Sequence, residues 1–379
     1  MAVPLSLYLH IPWCIRKCPY CDFNSHEGTG ALPVDDYVAA LAADLAADAH
    51  YAAGRRIDTV FFGGGTPSLF APDAIGRILA AADRIVPFAA DAEITMEANP
   101  GAIEHGRFDG YRAAGINRVS FGVQSFDDDS LARIGRIHDA DSARTAVREA
   151  QDAGLSNLNI DLMYALPQQD LDGALRDVAQ AVALAPAHVS HYQLTLEPNT
   201  LFAARPPKLP DDDAAWAMQE ACQDALAAAG YAQYEVSAYA RDGARCRHNL
   251  AYWSFADYLG VGAGAHGKLT LADGTVLRTK KAMLPRSYLE RAAAGQPFGG
   301  TEAVAREQLP FEFMLNALRL LDGYPAGDFS ARTGLDDAAI QAPLDAAFAR
   351  GWLECVDGRI RATALGQRFL NDVIASFLP

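Results

Sequence analysis

The chain has 379 residues, half of them hydrophobic and 21% charged, which is enough for one large domain and a small one built on ordinary apolar cores. Six cysteines are too few for a disulfide framework, and no basic run precedes the first apolar stretch, so a reducing, cytoplasmic setting is expected. A net charge of -15 repels phosphate backbones and argues against nucleic acid as a partner.

Strand-like runs are expected at residues 5–10, 59–62, 93–97, 118–122, 158–162 and 188–194. Amphipathic, Ala/Leu-periodic helices are expected between them at 34–48, 72–85, 141–153 and 170–184. Repeated strand-helix order means α/β architecture with a parallel sheet, and six units would leave a (βα)6 barrel incomplete. Such barrels keep their working groups at the carboxyl ends of the strands. From about Pro206 the alternation stops: "RPPKLPDDD" reads as a loop and helix N-cap, with a long helix running to Ala229. Residues 302–379 read as a small, winged-helix-like domain: helices, a hairpin-like "WLECVDGRIRAT" and a last helix. Seven acids against five bases over 326–379 argue against its binding DNA. The expected division is a core domain at 1–237, a connecting region at 238–301 and the C-terminal domain at 302–379.

The loop after the first strand reads "IPWCIRKCPYCDFNSH", placing Cys14, Cys18 and Cys21 at C-x3-C-x2-C. A structural zinc site wants four protein ligands, and the run supplies three. His10 or His26 could complete it, whereas Cys222, Cys246 and Cys355 are scattered singly. Three thiolates also suit a cubane cluster with one iron left open to an exogenous ligand. After the second strand comes "FFGGGTPS", whose three glycines let backbone amides approach a ligand without Cβ obstruction.

Cys14, Cys18 and Cys21 resemble the cluster loop of the radical S-adenosylmethionine (SAM) superfamily, and "GGGTP" resembles its glycine motif. The resemblance implies a [4Fe-4S] cluster whose open iron chelates the amino and carboxylate groups of SAM, and a radical SAM core over residues 1–237. By likeness to the branch holding the oxygen-independent coproporphyrinogen III oxidases, the SAM pocket would use Tyr8, Tyr20, Gly64, Gly65, Thr66, Glu97, Gln124, Arg136 and Asp161. Those oxidases carry a further cysteine two positions beyond the third, where this chain has Phe23, and a long N-terminal extension where this chain has thirteen residues before Cys14. Both departures turn the expectation from oxidative decarboxylation toward the HemW family of heme chaperones, which "CDFNS" and "CRHNLAYW" resemble. That family implies heme as cargo, delivery to respiratory proteins at the membrane surface, and retention of cluster and SAM, with a homodimer left open. His248 is the expected ligand of heme iron, with Tyr252 and Trp253 packed against the macrocycle, and Cys246, His266 or another of the nine histidines stays open as an alternative ligand. The alternative is that the H-N-x-x-Y-W run is a packing cluster with Trp253 in a domain interface.

Overall fold

The structure is a computed structural model that describes residues 3–28, 30–101 and 107–379. Six strands follow one another along the chain: β1 (Leu5–Ile11), β2 (Ile57–Gly64), β3 (Phe88–Ala98), β4 (Arg118–Gln124), β5 (Leu158–Tyr164) and β6 (His188–Gln193). Each pairs in parallel with the next. All six coincide with the expected runs, most of them longer by a few residues. β1 is buried along its length apart from half-buried Tyr8, as a strand covered on both faces must be.

The crossovers carry helices α1 (Val34–Asp48), α2 (Pro72–Ile85), α3 (Phe108–Ala114), α4 (Ala140–Asp152) and α5 (Leu171–Ala183). Asp139 and Asp170 begin α4 and α5 by accepting from the backbone amides of Ser142 and Gly173, satisfying donors that the first helical turn leaves open. α2 starts with proline at its first position, where a missing amide costs nothing. α6 (Asp212–Ala228) is the long helix expected after the proline-rich loop, capped by Asp211.

The sheet continues past both ends of this set. β7 (Ala232–Glu235) and β8 (Ala238–Ala240) add antiparallel beyond β6. On the other side β9 (Asp257–Val261) lies parallel to β1, followed by antiparallel β10 (His266–Thr270), β11 (Val276–Lys281) and β12 (Gly299–Ala303). The twelve strands run in the order β12-β11-β10-β9-β1-β2-β3-β4-β5-β6-β8-β7. Residues 238–301, expected to connect two domains, supply β8 to β11 and the first part of β12 to the main sheet. Buried charges hold β9 in place: Lys268 donates to Asp257 at 3.1 Å and Arg55 pairs with the same carboxylate at 2.7 Å. Removing one partner from such a group typically costs about 3–5 kcal/mol, because the others are left buried and unpaired.

A second core forms from α8 (Leu309–Ala317) and the residues after it, packed on Phe255 and Val276 of the sheet region. Its hairpin pairs Leu353–Val356 with Arg359–Ala362 across Asp357 and Gly358, both at positive φ, the geometry of a tight two-residue turn. Phe255 is itself at φ 55° where the chain leaves α7 (Arg247–Trp253), a conformation unfavourable for a bulky side chain. Its ring is 2% exposed and lies 5.6 Å from that of Phe313, so packing between the two cores offsets the strain. Among the described residues no helix is long and apolar enough to cross a membrane.

Candidate functional site

The cysteine loop leaves β1 at its carboxyl end and is drawn into a closed lobe. Trp13 and Cys14 pair in parallel with His26 and Glu27. Lys17 reaches inside to donate to the carbonyls of Phe23 and Ser25 at 3.0 and 3.3 Å. Asn24 ties the lobe to the sheet by donating to the carbonyls of Ala263 and Met283 at 3.0 and 2.8 Å. His10 and His26, the candidates for a fourth zinc ligand, are both engaged with Asn24, and His10 also with the Tyr8 hydroxyl. Among the described residues no group of three His, Cys, Asp or Glu converges closely enough to hold a single metal ion. The three cysteines line one cavity, and three thiols there are the ligand set a cubane with one open iron would take.

Burial pushes the Cys14 and Cys21 thiols up from their ordinary range. Hydrogen bonds from Thr66 and Ser25 oppose the rise at Cys14, and the Phe23 backbone, Ser25 and Lys17 oppose it at Cys21. Thr66 Oγ1 donates to Cys14 Sγ at 3.6 Å and Arg136 Nη1 to Cys18 Sγ at 3.7 Å. Asn99 joins the two, its amide donating to Thr66 Oγ1 at 2.7 Å and its carbonyl accepting from Arg136 Nη2 at 2.6 Å. A continuous polar chain therefore runs from Cys14 through Thr66, Asn99 and Arg136 to Cys18.

The glycine run lines the cavity and also packs the end of β2 on the cysteine loop. Gly65 and Thr66 donate their amides to the carbonyls of Ile11 and Trp13 at 2.7 and 2.8 Å, and Gly64 donates to Glu97 at 3.2 Å. A Cβ on Gly65 would lie 2.5 Å from the Trp13 carbonyl oxygen, and Gly64 sits at φ 110° against the His10 ring. The glycines are required by close packing of β2's end on the cysteine loop, and their amides are spent within the protein.

The cavity at the strand ends has a volume of about 420 Å³. It brings together the three cysteines, Tyr20, Gly64, Gly65, Thr66, Glu97, Gln124, Arg136, Asp161 and Trp253. Burial, reinforced by the neighbouring Asp161 carboxylate, pushes Glu97 up to about 8. Asp161 is itself raised by burial, although Asn159 and Ser120 donate to it at 2.7 and 3.3 Å. Gln124 adopts φ 71° and accepts from the Tyr192 hydroxyl at 2.9 Å, a strained residue held at the cavity wall. Arg136 Nε is buried and has no hydrogen-bond partner among the described residues. Two carboxyl groups and an unsatisfied guanidinium facing three thiols suit a zwitterionic, cationic ligand bound beside a thiolate-held cluster.

Tyr8 lies behind this wall, beneath Gly63, with its hydroxyl on His10. The H-N-x-x-Y-W residues separate by helical face, since positions four apart share one side of α7. Asn249 and Trp253 line the cavity, and Trp253 Nε1 is buried without a partner among the described residues. His248 and Tyr252 point the other way. The imidazole is 1% exposed, with Nδ1 on Thr59 Oγ1 at 2.8 Å and Nε2 on the Tyr252 hydroxyl at 3.0 Å. It stacks on Phe61, and burial together with Arg118 pushes it down to about 3. Here His248 offers no free nitrogen to iron, and the expected role as axial ligand does not match its surroundings. Sequence reading passed over Asn99, although it stands two residues after Glu97 at the same strand end, and it noted Asn249 within the H-N-x-x-Y-W run without giving it a role.

The profile of the radical SAM superfamily matches residues 8–179, and that of the HemN C-terminal domain matches residues 304–369. Heme chaperone HemW of Escherichia coli is 51% identical over 376 residues, covering 99% of this chain and 98% of that protein. Heme chaperone HemW of Haemophilus influenzae is 47% identical over 379 residues, with coverage of 99% and 98%. Its namesake in Mycobacterium tuberculosis is 36% identical over 382 residues, with coverage of 99% and 95%. Among solved structures, coproporphyrinogen III oxidase (HemN) from Escherichia coli, a radical SAM enzyme, superposes with a TM-score of 0.82. That likeness covers 99% of this chain and 90% of the oxidase at 24% identity, and it speaks for the fold.

Proposed function

The chain belongs to the HemW family within the radical SAM superfamily, and on that premise we propose that it is a heme chaperone, binding heme and passing it to respiratory acceptor proteins. In this reading Cys14, Cys18 and Cys21 hold a [4Fe-4S] cluster, and SAM occupies the strand ends beside it. The observation that carries the reading is that a single cavity collects these thiols, the strand-end acids and the Asn249 and Trp253 face of α7. When bound, such a cluster would supply an iron open to an exogenous ligand such as SAM, with Cys14, Cys18 and Cys21 holding the other three irons.

The chain's own groups would orient that ligand. Glu97 and Asp161 accept from ribose hydroxyls or the ammonium group, and a cation beside them favours their charged forms. Arg136, held by Asn99 and the Gly122 carbonyl, keeps positive charge next to Cys18 and at the cavity wall. Gln124, fixed by Tyr192, presents its amide to the same space. Heme is cargo in this scheme. The same reading places the carrier in the cytoplasm, meeting its acceptors at the membrane surface, without nucleic acid as a partner.

A second reading, as a porphyrinogen oxidase, has the fold in its favour. Against it stands Phe23, 58% exposed at the cavity rim, an apolar ring where the oxidases carry a further cysteine. Anaerobic reconstitution with iron, sulfide and SAM, followed by hemin titration and a coproporphyrinogen turnover assay, tests the choice. Stoichiometric heme binding without protoporphyrinogen formation is expected. Sustained protoporphyrinogen production, or no heme binding at all, would overturn the chaperone reading.

A further inference from the structure

Beside the cluster cavity lies a second chamber of about 410 Å³, which shares Tyr192, Gln193, Thr195 and Ser237 with it as a wall. It is built where β5, β6 and β8 meet α6 and the C-terminal segment, and Tyr164, His191, Tyr239, Gln219 and Arg319 face it. Gln219, Val236 and Arg319 also border a groove of about 320 Å³, so the chamber opens outward along the C-terminal segment.

The histidines of the chain differ in what their nitrogens do. Of the buried ones, His10, His188 and His248 have both ring nitrogens hydrogen-bonded, and His138 has one. His191 is 4% exposed, and among the described residues neither of its ring nitrogens has a hydrogen-bond partner. Neither nitrogen is among the fully buried atoms that lack a partner, so the imidazole presents its nitrogens to open space at the chamber, where a ligand can meet them. Its ring stacks on Tyr164 at 4.7 Å and meets Tyr239 edge-on at 6.5 Å, so three rings packed on one another form one side of the chamber. Burial pushes it down to about 4, so it is neutral near pH 7, the form that ligates metal. The chamber's cation is Arg319, which lies over Trp253, donates to Glu235 at 3.2 Å, and keeps a buried Nε without a partner among the described residues.

On the reading of the chain as a heme carrier, we propose that this chamber is the heme site, with His191 as the axial ligand of the iron and Arg319 as a partner of a propionate. A neutral imidazole, aromatic side chains in the lining and a guanidinium at an opening match the metal, the macrocycle and the anionic edge of that cargo in turn. The cluster cavity is left to the cluster and SAM, and the shared wall sets the two ligands side by side.

The test is hemin titration of the full-length, reconstituted chain as wild type, His191→Phe and His191→Gly. His191→Phe keeps an aromatic ring against Tyr164 while removing the ligand, and it should shift the Soret band and weaken binding about tenfold or more. His191→Gly should behave alike and recover the wild-type Soret band when free imidazole is added. Circular dichroism and SAM binding report on folding in each variant. Wild-type Soret position and affinity in His191→Phe would overturn the assignment, and so would weakened binding in His191→Gly that imidazole does not restore. If the wild type itself bound no hemin, the heme-carrier reading would fail, and this assignment with it.

Discussion

His248 Nε2 lies 3.0 Å from the Tyr252 hydroxyl across one turn of α7, while Thr59 Oγ1 holds Nδ1 at 2.8 Å from the facing strand. The imidazole is a bridge between the helix and β2, and its ring fills space against Phe61. His248→Ala removes both hydrogen bonds and leaves a cavity under the sheet. It should cost about 2–4 kcal/mol of stability, read as a fall in denaturation midpoint. The heme Soret band of the folded fraction should stay at its wild-type position, and a shifted band would restore His248 to the list of iron ligands.

Gly65 supplies a second prediction, because the space a Cβ would need is already held by the Trp13 carbonyl. Gly65→Ala should push the cysteine loop off the end of β2, at a cost of about 1–3 kcal/mol. Iron and sulfide content after reconstitution should fall together with SAM affinity. Intact cluster content with a selective loss of SAM binding would show instead that the glycine faces the ligand.

The sequence revealed what rests on local pattern. Apolar runs such as "LSLYLHI" have few alternatives to a strand buried on both faces, and the cysteine spacing marks its loop whatever surrounds it. β9 escaped notice because "DYLGV" is short and leads into a glycine-rich turn, and because its partner β1 lies some 250 residues away. Nothing local tells a chain that its next strand will return to its first. The H-N-x-x-Y-W run was legible as a motif, but its division into two faces needed the helix: the same spacing that sends Trp253 to the cavity sends His248 to the core. His191 went unread for a related reason. In "HVSHYQ" the strand alternation hides which histidine finds partners, and His188 is bonded at both nitrogens while His191 is not.

Glu97 gives the chain a pH dependence with a definite sign. Its carboxyl is raised to about 8 by burial and Asp161, well above the value near 4.5 it has when solvated. A group raised on folding contributes stability that is fully present below its unfolded value and lost as pH climbs through the folded one. Ligand-free protein should therefore lose stability between pH 4.5 and 8, by about 1–2 kcal/mol after allowance for partial solvent access. Glu97→Gln should flatten that slope. SAM, being cationic, should oppose it in the wild type by favouring the charged carboxylate, and thermal melts across the range with and without SAM would check both effects.

The polar chain from Cys14 to Cys18 leads to the last prediction, which separates ligation from support. Cys18→Ser removes a cluster ligand, and anaerobically reconstituted protein should fall from about four irons per chain to a small fraction of that. About one zinc and no iron-sulfur absorption in the wild type would defeat the cluster assignment itself. Asn99 touches no sulfur, yet it positions both donors that do, Thr66 Oγ1 at 2.7 Å and Arg136 Nη2 at 2.6 Å. Without it, Arg136 still has the Gly122 carbonyl, but Thr66 loses the donor that turns its hydroxyl toward Cys14. Asn99→Ala should then assemble the cluster and release iron to a chelator several-fold faster, since outer partners of metal ligands typically change affinity by about 10- to 100-fold. Asn99→Ser, which keeps a small hydrogen-bonding group near Thr66, should recover part of the loss. Equal release rates in wild type and Asn99→Ala would mean that the thiolates hold the cluster without help from this chain of donors.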